Sequence, residues 1–146
     1  MKHSHFSIAW VLALIFAFVS VTSHARPFQL FGTEKTENSK GIKALNSGNY
    51  DKAINHFNKA LALSIKRSGD GSPNVATSYG NLAIVYIRKK NYNNAIKYSE
   101  KALKISLKHK GDDDPKVASL YNSLGVAYHG KGEYQKAVDY YRKAIK

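Results

Sequence analysis

Histidines and a short aspartate run are the side chains of this 146-residue sequence whose chemistry could reach beyond packing. His56 precedes Phe57, His109 stands between Lys108 and Lys110, and His129 follows Tyr128. Acid–base or nucleophilic work needs a histidine set against a carboxylate and a hydroxyl, and none of the three has that pairing by spacing. Asp112-Asp113-Asp114 offers carboxylates to a cation but lacks the alternating ligands and distal glutamate of a calcium loop. It stands directly before Pro115, where a carboxylate caps a helix and complements its dipole. Gly69-Asp70-Gly71-Ser72 is the equivalent turn before Pro73, and no phosphate loop ending in Gly-Lys-Ser or Gly-Lys-Thr occurs. Cysteine is absent, which excludes disulfides, thiolate metal sites and cysteine nucleophiles. The sequence therefore predicts no catalytic residue, no metal site and no cofactor.

The amino terminus differs from the rest. Lys2 is followed by an apolar run from Ile8 to Val21, then by Ser23-His24-Ala25 with small residues where a peptidase cuts. These features predict a cleaved secretory leader over residues 1–25. The apolar run is shorter than the roughly 18 residues of a membrane span, so an uncleaved anchor is the lesser alternative. The mature chain is then expected to be periplasmic or secreted, with no membrane span. Removing the leader takes away one lysine and no acid, so the net charge falls from +13 to +12. That excess favours acidic partners, although exposed helix faces also carry charge for solubility alone.

The body of the chain repeats itself. Tyr50, Tyr92 and Tyr134 are 42 positions apart, as are Ala53, Ala95 and Ala137, and Ala60, Ala102 and Ala144. Upstream, the stretch from Ser72 to Tyr86 aligns without gaps on Asp114 to Tyr128. Val75, Tyr79, Leu82, Ala83 and Tyr86 fall on one face of a helix, with Ser72 and Asp114 as caps and Pro73 and Pro115 at the first helical position. Tyr92, Ala95, Ile96, Ser99, Ala102 and Leu103 form a second amphipathic face, which runs on to a stop at Gly111. Each repeat reads as helix A, turn, helix B. Gly41, Ala83 and Gly125 on the A helices are matched to Ala53, Ala95 and Ala137 on the B helices, because axes approach only where side chains are short.

This pattern resembles the tetratricopeptide repeat, with small residues at consensus positions 8, 20 and 27 and aromatics at 11, 17 and 24. Tyr86 and Tyr128 match position 11, Tyr50, Tyr92 and Tyr134 match 17, and Phe57 and Tyr141 match 24. The 42-residue period resembles the kinesin-light-chain subtype. The resemblance implies an all-α fold, a right-handed superhelical stack of antiparallel helix pairs after the leader. It implies a linker over 26–33 and a repeat domain over 34–146, with repeats near 34–68, 74–110 and 116–146. Departures are Lys40, Ala44 and Ser99 at positions where apolar or aromatic residues are usual. The first repeat thus reads as a polar cap. The sequence stops inside the last B helix, so that face is expected to meet further repeats of a longer chain, a second copy in self-association, or a partner.

In this family a protein or peptide lies across the A helices. By repeat position the groove would include Asn38, Ile42, Thr77, Asn81, Ile84, Arg88, Ser119, Asn122, Val126 and His129. Asn81 and Asn122 would pair with peptide backbone and Arg88 with an acidic side chain. Asn38, Ile42, Ser119 and Ser123 stand where a carboxylate clamp needs lysines and arginines, so chaperone-tail binding is not expected. The rival readings are a basic surface binding nucleic acid or an anionic envelope polymer, and an accessory region of an enzyme whose catalytic part lies beyond Lys146. Nucleic acid is the weaker of the two polymers, because the tyrosines sit at core positions rather than interleaved with basic residues.

Overall fold

The computed structural model describes residues 33–146. The leader assigned to 1–25, and all of the linker except Thr33, lie outside the described residues. Six helices follow in order: α1 Glu34–Asn46, α2 Tyr50–Ser68, α3 Pro73–Arg88, α4 Tyr92–Lys110, α5 Pro115–Gly130 and α6 Tyr134–Ala144. They pair as α1/α2, α3/α4 and α5/α6, and each pair packs on the next. The prolines themselves open α3 and α5, one residue before the repeat starts drawn at 74 and 116. No helix among the described residues is long and apolar enough to cross a membrane.

Local chemistry sets the boundaries. Thr33, Asn49, Asn91 and Asp114 each accept a backbone N–H of the following turn through a side-chain oxygen, which satisfies a donor the helix leaves open. Ser72 holds the cap position of α3 without such a bond, and its hydroxyl is buried unpartnered. Gly69 and Gly111 close the B helices with φ of 80° and 75°. The turns inside each pair place Gly48, Lys90 and Gly132 at one repeat position, all left-handed, with φ of 73°, 57° and 79°. Lys90 therefore bears a backbone strain that the glycines avoid.

The core runs along the stack rather than at one centre. Ala44, Ala53, Phe57, Leu82 and Val85 form a buried cluster joining the first pair to the second. Val117, Leu124, Ala127 and Ala137 are buried in the third. Inside each pair, the small A-helix residue meets a larger B-helix partner than the sequence suggested. A Cβ on Gly41 would stand 2.5 Å from the Phe57 ring, and one on Gly125 would stand 2.6 Å from the Tyr141 ring. Ala53 and Ala137 are buried as expected, yet the glycines make room for the rings four positions further on. The middle pair has Ala83 and Ser99 at these two places, both fully buried. What the A helix gains in bulk, the B helix gives up. Ser99 thus departs from the aromatic pattern because its opposite number is not glycine. Its hydroxyl is left without a hydrogen-bond partner.

This exchange is directly measurable. Gly125→Ala is expected to lose about 1–2 kcal/mol in urea denaturation, overpacking against Tyr141 outweighing the gain in helix propensity. In a Tyr141→Ser background the same substitution is expected to become neutral or stabilising. Additive losses in the double-mutant cycle would refute the size exchange.

Candidate binding groove

Curvature decides which face can hold a ligand. The A helices α3 and α5 touch each other directly, and no comparable contact joins successive B helices. A stack whose A helices lie closer together than its B helices curves with the A helices inside. Between α3 and α5 the A-helix side is therefore the inner one.

Between α3 and α5 the floor opens into a cavity of about 200 Å³. Ala76, Gly80, Ile84 and Leu120 supply its apolar wall. Gly80 matters here because a Cβ would stand 3.6 Å from Leu120, so a longer side chain would intrude into the gap. Thr77, Asn81, Ser119 and Ser123 add polar groups. His109 and Lys110 from the end of α4, with Asp114 and Lys116 from the start of α5, close one end. Two hydroxyls already bond their own helices, Thr77 to the Pro73 carbonyl at 3.1 Å and Ser123 to that of Ser119 at 3.0 Å. Asp114 is spent capping α5. The Asn81 side-chain amide donates to Asn38 Oδ1 at 3.4 Å, tying α3 to α1 and leaving its own oxygen free to accept.

Of the ten residues picked out from repeat position, four line this cavity: Thr77, Asn81, Ile84 and Ser119. Asn38 joins them through its bond to Asn81. Ile42, Arg88, Asn122 and His129 are exposed elsewhere on the A helices, and Val126 is half-buried. His129 packs edge-on against Tyr134, 5.3 Å between ring centres. Sequence reasoning missed Ser106, His109 and Lys110 from the end of a B helix, and Asp114 and Lys116 from the cap and first turn of α5. The basic Lys108-His109-Lys110 run was the available signal. His109 reaches across to within 2.7 Å of the Gly71 carbonyl and pins the preceding loop.

Behind the groove, two pairs share a tyrosine assembly. Tyr86 stacks on Tyr98 at 5.4 Å with Tyr79 beside them, and Tyr128 stacks on Tyr140 at 5.3 Å with Tyr121 beside them. Lys101 lies 5.2 Å over Tyr79 and Lys143 lies 5.5 Å over Tyr140. Burial raises the phenols of Tyr86, Tyr121 and Tyr140 above their ordinary value, so they stay neutral and support stacking and cation–π contact. In the first pair the same three repeat positions hold Glu37, Ala44 and His56. A buried ion pair stands in for the rings: His56 Nδ1 lies 2.8 Å from Glu37 Oε2, and Lys40 Nζ lies 3.1 Å from Oε1. A carboxylate only accepts, so Nδ1 carries the proton. The bond from His56, then that from Lys40, holds the Glu37 carboxyl below its ordinary value against the opposing effect of burial.

Comparison with known proteins follows this geometry. A family model described as Tetratricopeptide repeat matches residues 34–108 and 81–146. No curated protein matches the chain. Among solved structures, BtubC (BKLC) from P. vanneervenii is similar with a TM-score of 0.71 and 23% identity, over 93% of this chain and 52% of that one. The TPR domain of Arabidopsis FLU gives 0.69 and 23%, over 77% of this chain and 91% of that one. A putative kinesin light chain of Podosopora anserina, with nearly identical TPR-like repeats, gives 0.68 and 17%, over 92% of this chain and 64% of that one. The chain thus spans about half the length of the first. At these identities the likeness is one of fold.

The Glu37 pair has a pH signature. A carboxyl whose value is lowered by folding stabilises above its unfolded value, near 4.5, and loses that stabilisation as pH falls through the lower folded value. Glu37→Gln is expected to be about 1–2 kcal/mol less stable at pH 7, with the gap to wild type closing on acidification below about pH 4. Parallel stability curves for the two chains across pH 7 to 3 would rule the pair out as a stabilising contact.

Proposed function

The chain belongs to the tetratricopeptide repeat family, and on that premise we propose that it is a binding module holding a segment of another protein across its A helices. Domains of this family generally bind proteins or peptides and are typically non-enzymatic. The cavity between α3 and α5 carries the reading. Its volume of about 200 Å³ suits one large apolar side chain, and a small well-formed apolar recess with a few convergent polar groups is what a peptide anchor requires. Around it, the free Asn81 oxygen can accept a backbone N–H of an extended ligand. Lys110 and Lys116 flank the recess against the single carboxylate of Asp114, whose Oδ1 caps α5. The preferred ligand is therefore an apolar residue followed or preceded by acidic ones, consistent with a net charge of +13. Arg88, Asn122 and His129 serve as outlying contacts for a longer segment, with Ile42 and Val126 as apolar rests.

The leader features of residues 1–25 support export, with the module acting in a periplasmic or extracellular space. The rival polymer-binding reading depends on long-range charge alone, which salt screens within about 3–10 Å. Groove recognition by packing and short hydrogen bonds does not.

Affinity capture with the mature chain separates these readings. Ile84 is 40% exposed, so Ile84→Asp spares the core while placing a charge in the recess. That variant, and Asn81→Ala with Asn122→Ala, are expected to lose partners that wild type retains at about 0.5 M salt. Capture unchanged in both, or abolished by salt in wild type, would defeat the groove reading. For export, the chain recovered from the exported fraction is expected to begin at Arg26 by intact mass. A chain retained at full length in the membrane fraction would point to an anchor instead.

A further inference from the structure

The first repeat contains a second cavity, away from the recess between α3 and α5. It has a volume of about 460 Å³ and is lined by Lys40, Lys43, Ala44, Ser47, Asn49, Lys52 and His56. Its origin is visible in the 42-residue register. Ala44 and His56 occupy the places of the stacked pairs Tyr86/Tyr98 and Tyr128/Tyr140. Lys40 occupies the place of Leu82 and Leu124, and Lys43 that of Val85 and Ala127, all four fully buried. Where the other two repeats put rings and aliphatic side chains, the first has an open hollow with three lysines in its lining.

The charges there are not balanced from within. Three lysines face one carboxylate, Glu37, which already accepts from both Lys40 and His56. Asp51, the acid nearest in sequence to Lys52, is drawn away to Lys89. Glu34, on the same helix, is held by Arg67 at 2.6 Å. Three positive charges against one negative leave an excess of two, the charge of a phosphomonoester. Ser47 spends its hydroxyl proton on the Lys43 carbonyl at 2.9 Å, so the lysines and the Asn49 amide are the donors that remain.

We propose that this hollow is a binding site for a phosphate monoester dianion, its tetrahedral oxygens held by Lys40, Lys43 and Lys52. The volume exceeds that of a bare phosphate several times over and leaves room for the esterified group. Lysine suits this role because its ammonium is a compact donor that adapts to a tetrahedral anion. Charge-assisted hydrogen bonds make the contacts strong once the anion is partly desolvated.

The test is an amide NMR titration of the chain with glycerol phosphate and with inorganic phosphate, run beside sedimentation with vesicles containing phosphatidic acid. Saturable shifts confined to residues 40–56 are expected, with glycerol phosphate bound at least as tightly as inorganic phosphate. Vesicle binding lost with the same variants would identify a lipid headgroup as the source, and binding of the soluble ester alone would identify a free one. Lys43→Ala with Lys52→Ala is expected to weaken binding by roughly a hundredfold, tenfold per lost contact. Lys104→Ala with Lys108→Ala removes equal charge from exposed positions of α4 and is expected to leave the affinity unchanged. Ala44→Tyr with His56→Tyr restores two of the three rings of the other repeats and is expected to abolish binding in a chain whose helix content is checked by circular dichroism. Equal weakening by the two lysine pairs, or shifts spread along all the B helices, would overturn the site and leave the hollow as a polar end to the stack.

Discussion

Everything in this structure depends on how closely two helix axes can approach at one level of each repeat. A glycine on the A helix lets an aromatic ring of the B helix lie flat against backbone, as at Gly41 with Phe57 and Gly125 with Tyr141. The middle repeat reaches the same closeness from the other side, with Ala83 facing the reduced bulk of Ser99. Because the contact recurs every 42 residues, the pairs stack at one spacing, and only then do α3 and α5 come near enough to share a recess. The groove is a by-product of packing behind it. Its shape is fixed by residues that no ligand would touch.

Much of this was legible in the sequence. The period, the order of helices and the capping role of Asp114 follow from local rules that act within four residues, whereas Ser72, read as a cap on the same grounds, makes no such bond. Pro73 and Pro115 marked helix starts to the residue, because a missing N–H is harmless only there. The pairing across each repeat was harder to read. Small residues were matched to small residues, Gly41 with Ala53, whereas the structure opposes Gly41 to the much larger Phe57. Periodicity reports which side of a helix is apolar but not which residue on the facing helix fills the gap.

The groove was legible in part for the same reason. Thr77, Asn81, Ile84 and Ser119 come together because they share an A-helix face, which a repeat position encodes. His109 and Lys110 come from the far end of a B helix, and only the length of α4 carries them to the recess. The bond between Asn81 and Asn38 joins positions 43 apart, one step out of register, so alignment of equivalent residues could not reveal it. Likewise, of Glu37, Ala44 and His56 only Ala44 stands out in the sequence as a departure from the aromatic pattern. Seen together they are one substitution, an ion pair with a hollow in place of three rings.

The middle hairpin is the least comfortable of the three on local grounds. It holds Ser72, Ser78 and Ser99 with buried hydroxyls unpaired, and its inner turn forces Lys90 into a left-handed conformation. Yet it is flanked by a neighbour on each side, and its packing within itself and against both is extensive. Its integrity is thus borrowed from its neighbours, and theirs from it, since a lone repeat of this kind cannot bury its apolar face. A linear array would ordinarily unravel from its tips. Among the three described pairs the frailest stands between the other two, so its opening is expected to withdraw support from both at once.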